Sequence, residues 1–388
     1  MRVTHVITRL IVGGAQENTI STVLGLHRKP GVQVDLISGP TNGPEGSLEP
    51  EFAKLPGLLR IVPSLVRPVD PLNDCAALKE LTQIFRDTQP EIVHTHSGKA
   101  GVLGRLAAKR AGVPIIIHTI HGPSFGPFQG ALANFIFRSA EKKAVSATTH
   151  FVTVANAMTE HYLAAGIGRP DQYTRIFSGF DIDPFISAVN DTSLRERLGL
   201  KPDDFVVGKI ARLFELKGHD DLFAIAPELV RRCSRMKFLL VGDGPWRQKF
   251  EHQARALGLQ NHFVFTGLVP PNEVPRYVGV MDALVHLSRR EGLPRALPQA
   301  LGAGKPVVAY DCDGAREVCM EDETGFLVNA GDLDTLKNRL LRLAEDPQLC
   351  FRLGSKGREM VKRCFPVQQM VDEIYDLYLK LSKERSKP

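Results

Sequence analysis

The sequence predicts an α/β protein of two consecutive units, each a parallel β-sheet with crossover helices. Short runs of β-branched residues alternate with longer segments of helical spacing, which indicates repeated strand–helix–strand connections. The alternation starts again in the second half, and 388 residues are enough for about two domains. Hydrophobic residues make up 43% and charged residues 24%, the composition of a globular protein.

The first unit is predicted to contain six strands separated by helices. The strands are predicted at residues 4–8, 32–37, 59–62, 92–95, 115–118 and 150–154. Helical spacing predicts helices at residues 74–87 and 99–111. The strand beginning at Ile115 opens on a fully apolar run, which is typical of a strand buried on both faces.

The second unit repeats this pattern. Its strands are predicted at residues 206–211, 237–241, 263–265, 283–286, 306–309 and 325–328. The boundary is predicted near residues 178–185, where a glycine, two aspartates and a proline follow a strand-like segment. We therefore expect an N-terminal domain over residues 1–182 and a C-terminal domain over residues 183–366.

The end of the chain predicts a long helix. Residues 366–381 carry apolar side chains at helical spacing. We expect the segment 367–388 to cross back onto the N-terminal domain.

Composition excludes several classes of protein. No run of apolar residues is long enough to span a membrane, and the N-terminus lacks the pattern of a signal peptide. The six cysteines form no C-x-x-C pair, so neither a zinc site nor a disulfide framework is indicated. These features predict a cytoplasmic protein.

The net charge is +6, and residues 1–180 hold 18 basic and 13 acidic side chains. Most of the positive excess therefore lies in the first half. It suits an anionic membrane surface or a phosphate-bearing acceptor, and scattered solvated charges explain it equally well.

Two glycines, Gly13 and Gly14, lie between the first predicted strand and a helix. Glycines let a backbone approach a ligand closely, and the free amides at a helix N-terminus attract anions. The motif is not G-x-G-x-x-G, so a dinucleotide site has little support. A plain tight turn is the alternative.

Histidines follow two neighbouring strands of the first unit. His96 and Lys99 come at one strand end, and His118 and His121 at the next, before a Gly/Pro-rich loop. Polar residues at the carboxyl ends of parallel strands line the crevice of an α/β sheet. No carboxylate or cysteine stands at ligand spacing, so substrate contact is favoured over metal binding, with structural histidines as the alternative.

The first strand of the second unit is followed by Arg212 and Lys217. They lie five residues apart across a turn, so both cations are able to meet one diphosphate. Small loops follow the next two strands, at Gly242 and at residues 266–268. We expect these loops to admit a flat base.

The most informative segment is residues 288–308. Glu291 lies in a loop at a strand end, and a helix is predicted to open at Gly292, with free amides for a phosphate or a sugar hydroxyl. Gln299 follows Glu291 by eight residues, about two helical turns.

These motifs, in this order and over nearly the whole chain, resemble the retaining glycosyltransferases of family 4, in particular bacterial members that build surface polysaccharides and glycolipids. The resemblance implies the GT-B fold: two Rossmann-like domains facing each other across a cleft, with a C-terminal helix crossing back to the N-terminal domain. It also implies a nucleotide diphosphate sugar, UDP-linked by expectation, as donor, with guanosine left open. The acceptor would be a glycan or a lipid-linked molecule.

The resemblance implies a role for each matching residue. Arg212, Lys217, Glu291 and His121 would form the catalytic centre, with the two cations on the diphosphate, Glu291 on the donor sugar and His121 near the reacting sugar. The remaining donor contacts would come from Gly14, Gly242, Thr266, Gly267, Leu268, Gly292, Leu293 and Gln299. The acceptor side would include Gly13, His96 and Lys99.

Gln299 departs from the family, which usually has a glutamate there to accept hydrogen bonds from the ribose. Glutamine keeps a carbonyl acceptor but loses the charge, so donor binding is expected to be weaker by about 1 kcal/mol. Pro298 beside it is also unusual, because a proline inside a helix removes a backbone donor.

The expected reaction is a front-face displacement with retention, without metal or other cofactor. The departing diphosphate, held by Arg212 and Lys217, would itself take the acceptor's proton. No glycosidase-like pair of carboxylates is evident. A sugar-nucleotide epimerase or phosphorylase on the same fold, and a non-catalytic nucleotide-sugar binder, are the alternatives.

Residues 128–145 suggest contact with a membrane. Leu132, Phe135 and Ile136 stand close to Lys142 and Lys143 in this segment. It would let the protein lie peripherally at the inner face of the cytoplasmic membrane. The alternative is a helix that packs its apolar side on the first domain.

Overall fold

The computed structural model describes residues 1–41, 46–126 and 128–385. The chain divides into two compact units, Met1–Phe180 with Val367–Pro388, and Asp181–Pro366. The expected boundary between residues 182 and 183 falls two residues beyond this division.

The first unit is built on a parallel sheet in the order β3-β2-β1-β4-β5-β6-β7. Its strands are β1 (Arg2–Ile7), β2 (Gln33–Ser38), β3 (Leu59–Ile61), β4 (Ile92–His96), β5 (Ile115–Ile120), β6 (His150–Thr153) and β7 (Tyr173–Arg175). Every residue of β4 and β5 is buried, because helices cover both faces of the sheet.

Helices connect these strands. They are α1 (Gly14–His27), α2 (Pro71–Thr88), α3 (Gly98–Ala111), α4 (Ala131–Val145) and α5 (Asn156–Ala164). One core packs beneath α1, and a second packs beneath α2 and α3. Asp70 caps α2, because its carboxylate accepts hydrogen bonds from the amides of Leu72 and Asn73.

The second unit contains the parallel sheet β10-β9-β8-β11-β12-β13. Its strands are β8 (Phe205–Ile210), β9 (Met236–Val241), β10 (Phe263–Gly267), β11 (Ala283–His286), β12 (Val307–Tyr310) and β13 (Gly325–Val328). One continuous core fills this unit, and stacked phenylalanines such as Phe223 and Phe263 lie within it.

The helices of the second unit are mostly short before residue 330. They are α6 (Asp183–Ile186), α7 (Thr192–Arg197), α8 (His219–Arg232), α9 (Arg247–Ala256), α10 (Val274–Gly279), α11 (Ala296–Gly302), α12 (Leu333–Glu345) and α13 (Pro347–Cys364).

The last helix, α14 (Val367–Arg385), packs on the first unit as the sequence predicted. Val371 lies so close to α1 that a Cβ on Gly25 would come within 2.4 Å of its side chain. Lys29 and Asp372 form an ion pair at 2.5 Å beside this contact. No helix of the described chain combines the length and the apolarity needed to cross a bilayer.

Candidate functional site

Most of the predicted donor residues lie at or near the carboxyl ends of strands in the second unit, where α/β sheets bind ligands, whereas Gly14 belongs to the first unit. Lys217 and Glu291 are 74 residues apart, yet Nζ of Lys217 lies 2.5 Å from Oε1 of Glu291. Ser288 Oγ lies 3.4 Å from the same Nζ. Burial raises the pKa of Glu291, but the attraction of Lys217 and His286 outweighs it and leaves this pKa below its usual value. Glu291 is therefore ionised in this ion pair.

The turn that carries Lys217 is held against the end of β11. Leu216 and Gly218 both have left-handed backbones, with φ of 65° and 66°. The carbonyl of Leu216 accepts a hydrogen bond from the amide of Arg289 at 2.8 Å. A Cβ on Gly218 would come within 2.2 Å of the carbonyl oxygen of Leu287. Leu216 is not a glycine, so the turn stores strain of the kind found at functional sites.

The loop that carries Glu291 is fixed by the segment after β12. The amide of Glu291 donates to Oδ2 of Asp313 at 2.7 Å. The amide of Gly314 donates to the carbonyl of Gly292 at 3.0 Å. Leu293 is partly exposed beside this anchored backbone.

The prediction that a helix opens at Gly292 is wrong. The helix α11 begins only at Ala296, because Pro294 disfavours a helical conformation for the residue before it. Gln299 is therefore the fourth residue of α11, partly exposed, rather than a residue two turns along a longer helix. Pro298 stands in the first turn, where backbone amides have no helical partner, so it breaks no hydrogen bond of the helix.

A buried lysine lies close to the pair. Lys209, near the end of β8, is only 1% exposed, and Lys217, Glu291 and Asp221 are its charged neighbours. Burial and the repulsion of Lys217 lower the pKa of Lys209 to about 7. His286 is also buried, and its Nε2 lies 3.6 Å from Glu291 Oε1, beyond hydrogen-bond distance.

The loops expected to border the base meet at the ends of β8, β9 and β10. The amide of Gly242 donates to the carbonyl of Gly267 at 3.1 Å. A Cβ on Gly242 would come within 2.4 Å of the carbonyl oxygen of Ala211, so glycine is required there. Thr266 hydrogen-bonds to backbone carbonyls, whereas Leu268 is exposed.

Arg212 follows β8 in the same set of loops. Its side chain is exposed, and its guanidinium lies 5.4 Å from the centre of the Phe214 ring. That Arg212 and Lys217 bind one diphosphate stays a prediction.

The first unit places Gly13 and Gly14 at the start of α1. The helix begins at Gly14, and Gly13 offers no side chain to cap its first amides. Gly14 is exposed. The N-terminus of this 14-residue helix is therefore suited to an anion.

His121 and His96 are neighbours. His121 is partly exposed, and its Nε2 lies 3.0 Å from Nδ1 of His96. His96 is only 1% exposed, and its Nε2 lies 2.8 Å from Nδ1 of His5. Because so little of His96 is exposed, the acceptor contact predicted for it would have to be made through His121.

Lys99 forms an ion pair with Asp74 and donates to the carbonyl of Pro68. This carboxylate compensates the cation at the N-terminus of α3, where the helix dipole disfavours a positive charge. An acceptor phosphate would compete with Asp74 for Lys99.

Sequence reasoning missed Lys209, His5 and Tyr378. Lys209 and His5 are charged or polar residues inside predicted strands. Such residues are uncommon in buried strands, and this departure was the signal that the sequence offered. Tyr378 gave none, because it fits the apolar spacing of its helix.

Comparison with known proteins identifies the family. Residues 12–184 match the model described as Glycosyltransferase Family 4, and residues 190–360 match Glycosyl transferases group 1. Over 323 residues the chain is 29% identical to a UDP-Gal:alpha-D-GlcNAc-diphosphoundecaprenol alpha-1,3-galactosyltransferase of Escherichia coli, covering 82% of each protein. Over 326 residues it is 30% identical to EpsD of Bacillus subtilis, provisionally assigned as a glycosyltransferase, covering 82% of this chain and 83% of EpsD.

Solved structures share the fold. HepE of Anabaena in complex with UDP is 23% identical, with a TM-score of 0.80 over 98% of this chain and 100% of HepE. Sucrose-phosphate synthase of Thermosynechococcus elongatus is 18% identical, with a TM-score of 0.82 over 99% of this chain and 100% of the synthase. The chain therefore belongs to the family 4 glycosyltransferases and has their GT-B fold.

Proposed function

We propose that this glycosyltransferase moves a hexose from UDP onto a glycan or lipid-linked acceptor during the synthesis of a cell-surface polysaccharide or glycolipid. The Escherichia coli relative uses UDP-Gal and a diphosphoundecaprenol-linked acceptor, and another relative is a capsular polysaccharide biosynthesis glycosyltransferase of Staphylococcus aureus. HepE binds UDP and UDP-glucose. These names support the donor and acceptor classes.

The observation that carries the proposal is the contact between Lys217 and Glu291. It holds a cation for the diphosphate beside a carboxylate that can accept hydrogen bonds from sugar hydroxyls. Arg212 adds a second cation from the same turn. Fixed charges aimed at a departing diphosphate stabilise the charge that develops there.

We further propose that transfer retains the anomeric configuration. The bond from the anomeric carbon to the diphosphate oxygen breaks, and the acceptor oxygen bonds to the same face of the sugar. The acceptor's proton passes to the departing phosphate oxygen. Relatives named as alpha-galactosyl and alpha-mannosyl transferases form α-linkages, which is the outcome of retention from α-linked donors.

We propose that the cations replace a metal ion in this role. Lysine and arginine are the cationic residue types that bind phosphate groups, so Lys217 and Arg212 can offset the charge of UDP without Mg²⁺. Transfer should then continue in excess EDTA, and a rate that requires added Mg²⁺ would contradict this part of the proposal.

The decisive experiment follows sugar transfer and UDP release by the full chain, with UDP-glucose or UDP-galactose and a synthetic GlcNAc-diphosphate-lipid. We expect UDP release that depends on the acceptor, a retained anomer by NMR, and loss of transfer in Arg212→Ala and Lys217→Ala. Transfer at the wild-type rate in either variant would overturn the scheme. Phosphate-dependent turnover would indicate a phosphorylase, isomerised donor an epimerase, and binding without turnover a non-catalytic binder.

The base is tested separately. One relative depends on GDP-mannose, so guanosine is the competing donor base. A thermal-shift panel of UDP- and GDP-sugars, with and without Mg²⁺, measures preferential binding to the native state. We expect larger shifts with UDP-sugars.

We also propose that α4 lies on an anionic membrane surface. Leu132, Phe135 and Ile136 are 73%, 69% and 49% exposed, so the apolar side of this helix is not packed on the first unit. Lys142 and Lys143 follow on the same helix and are exposed. An exposed apolar stripe with flanking cations is typical of helices that lie in the bilayer interface, and it would bring the enzyme to a lipid-linked acceptor.

Sedimentation with phosphatidylglycerol vesicles tests this surface. We expect binding that falls at high salt and falls further in Phe135→Ser. Phe351→Ser is the matched control, because Phe351 is 77% exposed on the second unit. Equal binding of both variants would contradict the proposal.

A further inference from the structure

A continuous chain of hydrogen bonds runs beneath His121 to the C-terminal helix. It passes through neighbouring side chains in the order Thr119, His94, Tyr378, His5, His96 and His121. Successive donor and acceptor atoms lie 2.6, 2.5, 3.2, 2.8 and 3.0 Å apart. The chain ends at the histidine expected to contact the reacting sugar.

Strand register brings these side chains to one face of the sheet. His5 of β1 is paired with His94 of β4, and His96 of β4 is paired with Thr119 of β5. Residues two apart in a strand share a face, so all four project together. Tyr378 of α14 covers them, with its hydroxyl between His94 and His5.

All four imidazoles of this hydrogen-bond chain are neutral at physiological pH. Burial lowers the pKa of His5 and of His121 to about 3. Burial, with repulsion from neighbouring imidazoles, holds the pKa of His94 and of His96 well below the usual value. Each ring therefore has one N–H donor and one bare nitrogen acceptor.

Three arrangements of protons keep all five hydrogen bonds. Two run in a single direction throughout, one the reverse of the other. In the first, Thr119 donates to His94, and each following group donates onward until Nδ1–H of His96 donates to Nε2 of His121. In the second, every bond points the other way, and the hydroxyl hydrogen of Thr119 has no acceptor in the described part of the protein. In the third, the hydroxyl of Tyr378 accepts from both His94 and His5, and its own hydrogen has no acceptor among the described residues. Buried donors without a partner are rare and costly, and unused acceptor lone pairs less so, which favours the first arrangement.

We propose that this hydrogen-bond chain holds His121, whose side chain is partly exposed, as the Nδ1–H tautomer, so that this N–H is the hydrogen-bond donor offered to an oxygen of the sugar or the acceptor. His96, His5 and Tyr378 are positioning residues, because they act on the ligand through His121. In this state His121 does not accept the acceptor's proton, in agreement with a proton that leaves on the phosphate. The identity of the ligand rests on the proposed function, whereas the tautomer does not.

A metal ion is the other use for such a cluster. His5, His94 and His96 offer nitrogens that lie within 4.8 Å of one another. All six of their ring nitrogens already take part in the chain, so a metal ion would have to break those hydrogen bonds. The three rings are also at most 1% exposed.

Long-range ¹H–¹⁵N NMR of the ¹⁵N-histidine-labelled full chain, without donor, tests the proposal. We expect a protonated Nδ1 and a bare Nε2 at His121. Tyr378→Phe removes the hydroxyl that transmits this direction from His94 to His5, so we expect the Nε2–H form of His121 to appear. Tyr173→Phe is the control, because it loses a hydroxyl bonded to the carbonyl of Ile167, away from the chain. An Nε2–H His121 in the wild type, or metal-type shifts of these rings on adding Zn²⁺ alone, would overturn the proposal.

A pair of substitutions gives a second measurement. His121→Asn keeps an N–H donor near the Nδ1 position, whereas the isosteric His121→Asp offers only acceptors when ionised. We expect kcat of the asparagine variant to exceed that of the aspartate variant at least tenfold. Equal rates would contradict a donor role. A correct tautomer without any sugar transfer would instead count against the proposed function.

Discussion

Lys217 Nζ lies 2.5 Å from Glu291 Oε1, and the side chains are 27% and 23% exposed. The partial exposure leaves both groups accessible to a ligand. In the proposed function, a diphosphate would meet a cation that its own partner already holds, so little reorganisation would be needed on binding. Such prior positioning is what makes fixed charges effective in catalysis.

The first prediction concerns this pair. Lys217→Met should lower kcat by a factor on the order of 10² to 10³, as loss of one group that stabilises the departing charge does. Glu291→Gln should lower kcat/KM as well, and the double variant should lose less than the two single effects combined, because contacting residues are not independent.

Steady-state kinetics on the three variants checks this prediction. Lys362→Met serves as the control, since Lys362 pairs with Glu359 on an exposed helix face of the same unit. It should retain the wild-type rate. Strictly additive losses would show that Lys217 and Glu291 act separately.

The second prediction concerns the glycine after Lys217. In Gly218→Ala, the new Cβ would lie 2.2 Å from the carbonyl oxygen of Leu287, and alanine would also be strained in the left-handed backbone conformation of this position. Gly199→Ala has the same backbone problem, with φ of 68°, but nothing lies within 4 Å of its new Cβ. Both variants should lose about 1 kcal/mol of stability from the left-handed conformation, and only Gly218→Ala should also lose transfer activity.

Urea unfolding and kinetics on the two alanine variants separate these effects. Wild-type kcat in Gly218→Ala would show that the close approach to β11 does not position Lys217.

The third prediction concerns the glutamine that replaces the family's usual glutamate. Gln299→Glu supplies a charged acceptor for the ribose hydroxyls, which is worth about 1 kcal/mol over a neutral one. Titration calorimetry should show UDP binding about fivefold tighter. Gln299→Ala should bind UDP more weakly than the wild type. Unchanged affinity in both variants would remove Gln299 from the donor site.

The extent to which sequence predicts this structure differs between its parts. The helix expected at residues 99–111 is found at Gly98–Ala111, because amphipathic periodicity reports burial directly. The start of α11 was misplaced, because the conformational effect of Pro294 outweighs the motif around Glu291. Lys217 and Glu291 were both identified, but their direct contact was not, since it depends on β8 and β11 being neighbours.

The hydrogen-bond chain was beyond sequence reasoning for a related reason. His5 and Tyr378 are 373 residues apart, and their contact requires both the strand order and the rotation of α14 on the sheet. Local periodicity marks the buried face of α14, but it gives neither the strand order nor the strands that this face covers. His96 was therefore taken as an acceptor contact rather than as a support for His121.

The fourth prediction concerns a buried ion pair in the first unit. Nη2 of Arg105 lies 2.6 Å from Oε2 of Glu141, with side chains 0% and 2% exposed. Ser124, in the loop after His121, donates to the same carboxylate at 3.2 Å. Arg105→Met leaves this carboxylate without its cation, which should cost about 3–5 kcal/mol of stability.

Chemical denaturation measures this loss. The double variant Arg105→Met with Glu141→Leu should recover most of it, because no charge is then buried alone. A loss below about 1 kcal/mol in Arg105→Met would mean that Glu141 becomes hydrated or protonated without strain.

The last prediction concerns pH and the buried Lys209. Burial and the repulsion of Lys217 lower its pKa from 10.5 to about 7. Between these two values the unfolded chain holds a proton that the native protein has released, so the stability of the native state rises with pH. Below pH 7 both states are protonated, and the native state carries the full cost of the buried charge.

Lys209→Met removes this titration with little change in shape. The free energy of unfolding of the wild type should therefore gain about 2 kcal/mol relative to the variant between pH 7 and pH 9. Groups common to both proteins cancel in this difference, so urea unfolding at the two pH values isolates Lys209. If the difference in the free energy of unfolding between the wild type and Lys209→Met is the same at both pH values, Lys209 keeps an ordinary pKa and remains charged beside Lys217. Only a depressed pKa makes the native and unfolded states bind different numbers of protons between pH 7 and pH 9.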